Sequence, residues 1–378
     1  MTATAHTTIA AHRPSASELR QTVRSLVQDW LETNRFVPRS DSWVRSFDLD
    51  FSKELAARGL IGMTWPREYG GGEFTNVERL AVTEELLRAG APVAAHWIAD
   101  RQIGPSILRH GSERLKEEML PGITRAEHLF CLGMSEPEAG SDLAAVRTFA
   151  TRVTGGWSIT GRKVWTSGAH VATHAYVLAR TERSERKHLG LSEFVVDMSE
   201  RGVSVSPIID LSGEHHFNET VFEEVFVPDH YIIGVEGQGW KQVIGQLSLE
   251  RGGPERVLSS YPVLAEMIRR RDRIRALHLE STIGELLARL FTLRRMCWDI
   301  AGQLDTNRTP VQEAAALKLL GNEFERDVIA AARDILGTID DGPDSVFGQA
   351  LLASPGFSIR GGAADVLLSI IAKQEART

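Results

Sequence analysis

Residues 128–137, HLFCLGMSEP, open a stretch that decides the fold. It continues through TFATRVTGGWSITGRKVWTSG at 148–168, HAYVLART at 174–181, SEFVVDM at 192–198, VSVSPII at 203–209 and TVFEEVFVP at 220–228. β-Branched and aromatic residues fill these runs, and Gly, Pro and Ser separate them, as expected of strands joined by turns. The pair Gly155-Gly156 between two runs reads as a two-residue hairpin turn. The spacing predicts a central β-barrel or sandwich domain of roughly a hundred residues.

Outward from this block the period changes to that of helices. On the N-terminal side, ELRQTVRSLVQDWLE places Leu19, Val23, Leu26, Val27 and Leu31 on one stripe. WPREYGGG at 65–72 is a Gly/Pro loop, and NVERLAVTEELLRAG follows as a helix with Asn76 as its capping residue and Gly90 as its end. On the C-terminal side, GWKQVIGQLSLER, then YPVLAEMIRRRDRIRALHLESTIGELLARLFTLRRMCWDIAGQL, then VQEAAALKLLGNEFERDVIAAARDILG predict long helices. The fold class is therefore α+β: an N-terminal helical bundle, a central β domain and a C-terminal helical bundle. The expected division is a tail at 1–14, helices at 15–128, strands at 129–235 and helices at 236–378. A length of 378 residues agrees with two or three domains at roughly 150 residues each.

Composition excludes several classes. Lys and Arg number 43 against 50 Asp and Glu, a net charge of -7, so no global basic field exists to hold nucleic acid or anionic lipid. The basic run RRRDRIR at 269–275 lacks interleaved aromatics and reads as a solvated helix face. Cys131 and Cys297, far apart and outside any CxxC, supply neither a disulfide framework nor a zinc knuckle, which points to an intracellular, cytoplasmic setting. The first residues, MTATAHTTIAAHRPSAS, lack a secretory apolar run and read as a short tail, with a transit peptide as the minor alternative. No run of about 18 apolar residues predicts a membrane span. His215 and His216 stand without metal-ligand spacing, so no metal is expected. GVEGQG at 234–239 lacks both a full GxGxxG and a Walker lysine and reads as a plain strand-to-helix connection. GxSxG is missing, which removes the serine-hydrolase elbow.

The stretch with chemistry begins at Met134. SEPEAGSD, 135–142, packs two hydroxyls and three carboxylates into a loop after a strand, and WTSG at 165–168 follows another strand. Hydroxyls and free backbone N–H groups suit an anionic, planar cofactor at close approach, and Trp165 offers a flat wall for an aromatic ring. Taken alone, an ordinary turn accounts for these residues equally well.

Taken in order, WPREYGG, Glu84-Glu85, SEPEAGSD, GRKVWTSGA, GLSEFVVDM, VFEEVFVP, GWKQV and a Gly-Gly before a last amphipathic helix resemble the acyl-CoA dehydrogenase family of flavoproteins, from about Ser15 to Lys373. The resemblance implies α,β-dehydrogenation of an acyl-CoA thioester beside FAD: a carboxylate removes the α-proton, the β-hydrogen leaves as hydride to flavin N5, and electrons pass to an electron-transfer flavoprotein. Carried over, Met134 and Ser135 would contact the flavin ring, and Gly140 and Ser141 would lie along the cofactor and thioester loop. Trp165 and Ser167 would flank the ring near N5, and Arg251 would join Ser141 on the substrate side.

The chain departs from the family pattern at two places. Many members carry the base in the loop before the last helix, where this chain has SIRGGAAD and Gly361 at the matching position. A subset carries it on a helix before an arginine, which makes Glu250, ahead of Arg251, the candidate base; Asp365 is a weaker substitute. Gly252, Gly253 and Pro254 should end or kink that helix directly after it. The second departure concerns the partner's grip on FAD. The family's Arg-x-x-Phe-Gly is replaced by RRRDRIRALHLESTIGELL, and of the later Gln-x-x-Gly-Gly only Gly337 remains. This resembles the catalytic-type subunit of actinobacterial heteromers for bulky CoA thioesters, which implies a second acyl-CoA dehydrogenase-like subunit, with a homodimer or homotetramer as the other arrangement. A flavin-dependent monooxygenase on the same fold and a non-catalytic partner subunit are the alternative functions. Glu250-Arg251 favours dehydrogenation.

Overall fold

The computed structural model describes residues 13–271, 278–336 and 342–376, the side chains of 248–250 excepted. Among the described residues seven α-helices precede the strands: α1 (Ala16–Glu32), α2 (Ser42–Arg45), α3 (Leu49–Ala57), α4 (Asn76–Arg88), α5 (Ala94–Ile98), α6 (Gly104–His110) and α7 (Glu113–Thr124). Ser15 and Glu18 form a capping box at the start of α1, which turns Leu19, Val23, Leu26 and Val27 inward. Trp30 takes the last buried place on that face, and Leu31 packs half-buried at its edge. The cap of α4 is Thr75, not Asn76. Thr75 Oγ1 accepts from the Glu78 N–H at 3.1 Å while Glu78 accepts from the Thr75 N–H at 2.7 Å, a reciprocal pair that Asn76 cannot match from inside the first turn. Asn76 instead donates from Nδ2 to Asp305 at 2.8 Å.

Eight strands follow: β1 (Phe130–Gly133), β2 (Phe149–Val153), β3 (Gly156–Lys163), β4 (His174–Arg180), β5 (Leu191–Asp197), β6 (Val203–Ile209), β7 (His215–Pro228) and β8 (Ile232–Ile233). They form one sheet in the order β6-β7-β3-β2-β4-β5-β8, with β1 pairing parallel to β4. The sheet curls on itself: Trp157 of β3 and Phe194 of β5, with two strands between them, meet edge-on at 5.4 Å inside a core with Phe222 and Val225. The β2–β3 turn is Thr154-Gly155, one residue earlier than expected. Gly155 supplies the left-handed φ of +80°, whereas Gly156 is already in the ladder, opposite Val153. A Cβ on Gly156 would stand 2.2 Å from the Val227 carbonyl oxygen, so glycine is needed there for close strand approach.

The last block holds α8 (Gly239–Arg251), α9 (Glu255–Leu258), α10 (Tyr261–Arg270), α11 (Leu279–Asp305), α12 (Val311–Leu336), α13 (Val346–Ala353) and α14 (Ala364–Glu375). GVEGQG joins β8 to α8, with the Gly237 N–H on Ser192 Oγ at 2.8 Å. The helix ends at Arg251 and a new one starts after Pro254, as the Gly-Gly-Pro predicts. Arg269 and Arg270 pair with Glu266 on their own helix, and the rest of the basic run from 272 on, like Gly337, lies outside the described residues. Both helical blocks share one core, from Trp30, Trp65 and Trp97 to Met267, Leu290 and Phe324. Glu84 locks it, accepting from Arg20 of α1 at 2.6 Å and from Arg294 of α11 at 3.0 Å. Among the described residues no helix is long and apolar enough to cross a membrane.

Candidate active site

The loop after β1 is fastened from the inside. Glu136 is buried, and its carboxylate accepts from the backbone N–H of Arg147 at 2.6 Å and of Thr148 at 2.9 Å, closing the loop on itself. Lys163, the last residue of β3, has no exposed surface and donates to Glu136 at 2.9 Å and to the Met134 carbonyl at 3.0 Å. The next residue, Val164, donates its N–H to the Ser135 carbonyl at 2.9 Å, so the two loops that follow β1 and β3 are joined at their roots. Met134 is buried and Ser135 half-buried, whereas Gly140 and Ser141 lie exposed at the tip.

Trp165 stands at a left-handed φ of +58°, rare for a bulky residue, and remains 59% exposed with only an edge contact to Phe217 at 5.7 Å. An exposed indole held in strained backbone is a recurrent mark of a ligand wall. Behind it, buried Asn218 of β7 donates to the Thr166 carbonyl at 2.9 Å, and Gly168 donates to the His216 carbonyl at 2.8 Å. Ser167, Gly168, His170 and His216 face Trp43, Phe47, Ala94 and Ile98 of the N-terminal block across a cavity of about 80 Å³. Burial holds the His216 imidazole down at about 4, so this ring is neutral at pH 7.

Trp43 ties that cavity to the C-terminal bundle. Its indole N–H donates to Ser259 at 3.0 Å, and the Arg256 guanidinium lies over its ring at 4.9 Å. Arg256 is fully buried, and a Cβ built on Gly361 would come 3.0 Å from its guanidinium carbon. Arg251 Nε donates to the Gly361 carbonyl at 3.1 Å. Beside it Arg360 bridges Asp41 at 2.9 Å and the buried Glu325 at 3.3 Å, and burial pushes the Glu325 carboxyl up. The Gly361-Gly362 turn is thus held by Arg251 of α8, with the Arg256 guanidinium of α9 packed close against it.

Comparison with known proteins shows the family to which this fold belongs. Residues 14–127, 131–225 and 237–376 match the N-terminal, middle and C-terminal domain models of acyl-CoA dehydrogenases. Acyl-CoA dehydrogenase IpdE1 of Mycobacterium tuberculosis is 33% identical over 86% of this chain and 86% of its own length. The chain belongs to the acyl-CoA dehydrogenase family. A solved structure described as the Tcur3481-Tcur3483 steroid ACAD superposes with a TM-score of 0.85 at 27% identity, covering 98% of this chain and 99% of that one. The ChsE4-ChsE5 complex of Mycobacterium tuberculosis gives 0.80 at 25% identity, covering 97% and 98%. The chain is therefore an oxidoreductase of the acyl-CoA dehydrogenase class, a family that depends on flavin.

Of the expected site residues, the fold joins Met134 and Ser135 to the root of the Trp165–Ser167 segment, and sets Arg251 against Gly361. Gly140 and Ser141 are exposed at the loop tip, apart from those residues. Glu250 is on α8, one residue before Arg251, with its side chain outside the described residues; Asp365 is exposed on the first turn of α14. The residues present fit a flavin. Trp165 offers an open aromatic face, Thr166 Oγ1 is buried without a partner, and the Ser135 and Ser167 hydroxyls have no hydrogen-bond partner among the described residues. Sequence reasoning missed Lys163, Thr166, Trp43 and Arg256. Lys163 was within reach: it shares strand parity with buried Trp157 and Ile159, so alternation alone points it inward.

Proposed function

We propose that this chain catalyses FAD-dependent α,β-dehydrogenation of a bulky acyl-CoA thioester, with Glu250 as the base and an electron-transfer flavoprotein as the electron acceptor. The observation that carries the reading is the 3.1 Å hydrogen bond from Arg251 to the Gly361 carbonyl. It ties the residue after Glu250 to the glycine that stands where many relatives carry the catalytic carboxylate. Bound FAD would supply the hydride acceptor for the β-hydrogen. Met134, Ser135, Trp165 and Ser167 would hold its ring, and Gly140 and Ser141 the adjoining cofactor and thioester loop. Glu250 takes the α-proton, and Arg251 positions the end of α8 on the substrate side. The α-proton is weakly acidic, so the base needs surroundings that raise its pKa toward working pH, and the thioester carbonyl needs donors.

The domain division expected at residues 128 and 235 belongs to the same proposal, as does a hetero-oligomer in which a second acyl-CoA dehydrogenase-like subunit supplies the arginine contacts to FAD that this chain lacks. Both structural relatives named above pair two components, and one of them is described as a steroid ACAD. Lost phosphate contacts matter because charge-assisted hydrogen bonds are among the stronger ones. The test is anaerobic mixing of the FAD-saturated chain with a panel of acyl-CoA thioesters, reading the flavin absorbance and the mass of the product. Bleaching by bulky thioesters with formation of the enoyl-CoA is expected, and no bleaching by any thioester contradicts the function. Stoichiometric FAD and full turnover from the chain purified alone contradict the heteromer.

A further inference from the structure

The ammonium of Lys163 has three acceptors: Glu136 Oε1 at 2.9 Å, the Met134 carbonyl at 3.0 Å and the Leu178 carbonyl at 2.7 Å. All three of its protons are therefore spoken for. The Glu136 carboxylate, besides taking the lysine, accepts the backbone N–H groups of Arg147 and Thr148. One ion pair thus holds the first and last residues of the loop from Met134 to Thr148. Through Val164 and Ser135 it also holds the strand end that presents Trp165.

Stability does not account for a lysine here. Taking two ions out of water often costs as much as their attraction returns, and an apolar pair of similar volume is frequently as stable. An apolar pair, however, gives no direction to carbonyls and amides. We infer that Lys163 and Glu136 are the positioning pair of the cofactor loops, orienting Ser135 and the Trp165 segment toward the flavin while themselves covered by protein. The inference rests on the cofactor site proposed above. Although burial pushes the Lys163 ammonium down to about 8, Glu136 opposes the shift. The Glu136 carboxyl itself lies below its usual range despite burial, through Lys163 and the hydrogen bonds it accepts. Both ions persist at pH 7.

The test compares the full chain with Lys163→Met/Glu136→Gln, a double variant that leaves neither charge buried alone. FAD affinity is read by fluorescence titration, and amide hydrogen exchange is followed along the whole chain. The expected result is a cooperatively folded variant whose Kd for FAD rises roughly tenfold or more, with faster exchange confined to residues 134–148 and 164–168. Unchanged loop exchange and unchanged affinity overturn the inference. So does exchange that rises uniformly through the helical core, which would make the pair merely structural. If wild type binds no FAD, the cofactor reading fails separately, and the exchange of the loops still decides whether this pair orders them.

Discussion

Where the sheet meets the site, Ser135 and Val164 share a 2.9 Å backbone hydrogen bond and Asn218 holds Thr166 from behind, whereas the helical side ends in glycines at φ +71° and +119° hung from Arg251. The sheet side is set by strand pairing and a buried ion pair. The helical side is set by guanidinium groups reaching in from two helices that a Gly-Gly-Pro separates. In the wall built on paired strands, Lys163 and Glu136 each answer to several hydrogen bonds at once. A glycine turn carries no carboxylate of its own, which is why the proposed base lies on another element, α8. The walls also differ in their groups, since the sheet side carries buried His174 and His216 and the helical side guanidinium groups.

That contrast breaks first under acid. Burial holds both His174 and His216 down at about 4, below the usual imidazole value of about 6.5. The unfolded chain therefore binds more protons than the folded one between pH 6.5 and 4. Stability from these groups is complete above about pH 6.5 and is lost as pH falls toward 4. Together they should remove about 2–4 kcal/mol by pH 5, offset in part by buried Glu193 of β5, whose carboxyl is raised to about 7 and is stabilising in the same window, so the loss is read locally, as hydrogen exchange rising around β4 and β7. Exchange around β4 and β7 that stays unchanged from pH 7 to 4.5 would show that these imidazoles do not load the sheet side. The smaller test concerns the helical side. Gly361→Ala puts a Cβ 3.0 Å from the Arg256 guanidinium carbon at φ +71°, and should cost about 1–2 kcal/mol while leaving FAD affinity within twofold, roughly. A loss of FAD binding in that variant would mean that the two walls are not independent.

The three-block fold was legible because apolar period changes sharply near residues 129 and 236, and strands and helices differ in period whatever they pack against. Loop chemistry was legible as composition only. SEPEAGSD reads as a donor-rich loop, yet Glu136 faces inward as an acceptor, because a carboxylate flanked by free N–H groups closes the loop better than it serves solvent. Gly156 rather than Thr154 was assigned to the turn because adjacent glycines look alike until the approach of Val227 distinguishes them. Trp43 and Arg256 were out of reach, since their meeting depends on how α2 of one block docks against α9 of another, which no local pattern encodes.

The proposed base is Glu250 of α8, because position 361 holds a glycine. The most direct measurement of that role is the anaerobic rate of flavin bleaching by an accepted acyl-CoA thioester in wild type and in Glu250→Gln, each saturated with FAD. A positioned general base contributes about 10²- to 10⁴-fold, so the variant should bind FAD and thioester normally and bleach slower by that factor. Bleaching at the wild-type rate in Glu250→Gln would contradict the account.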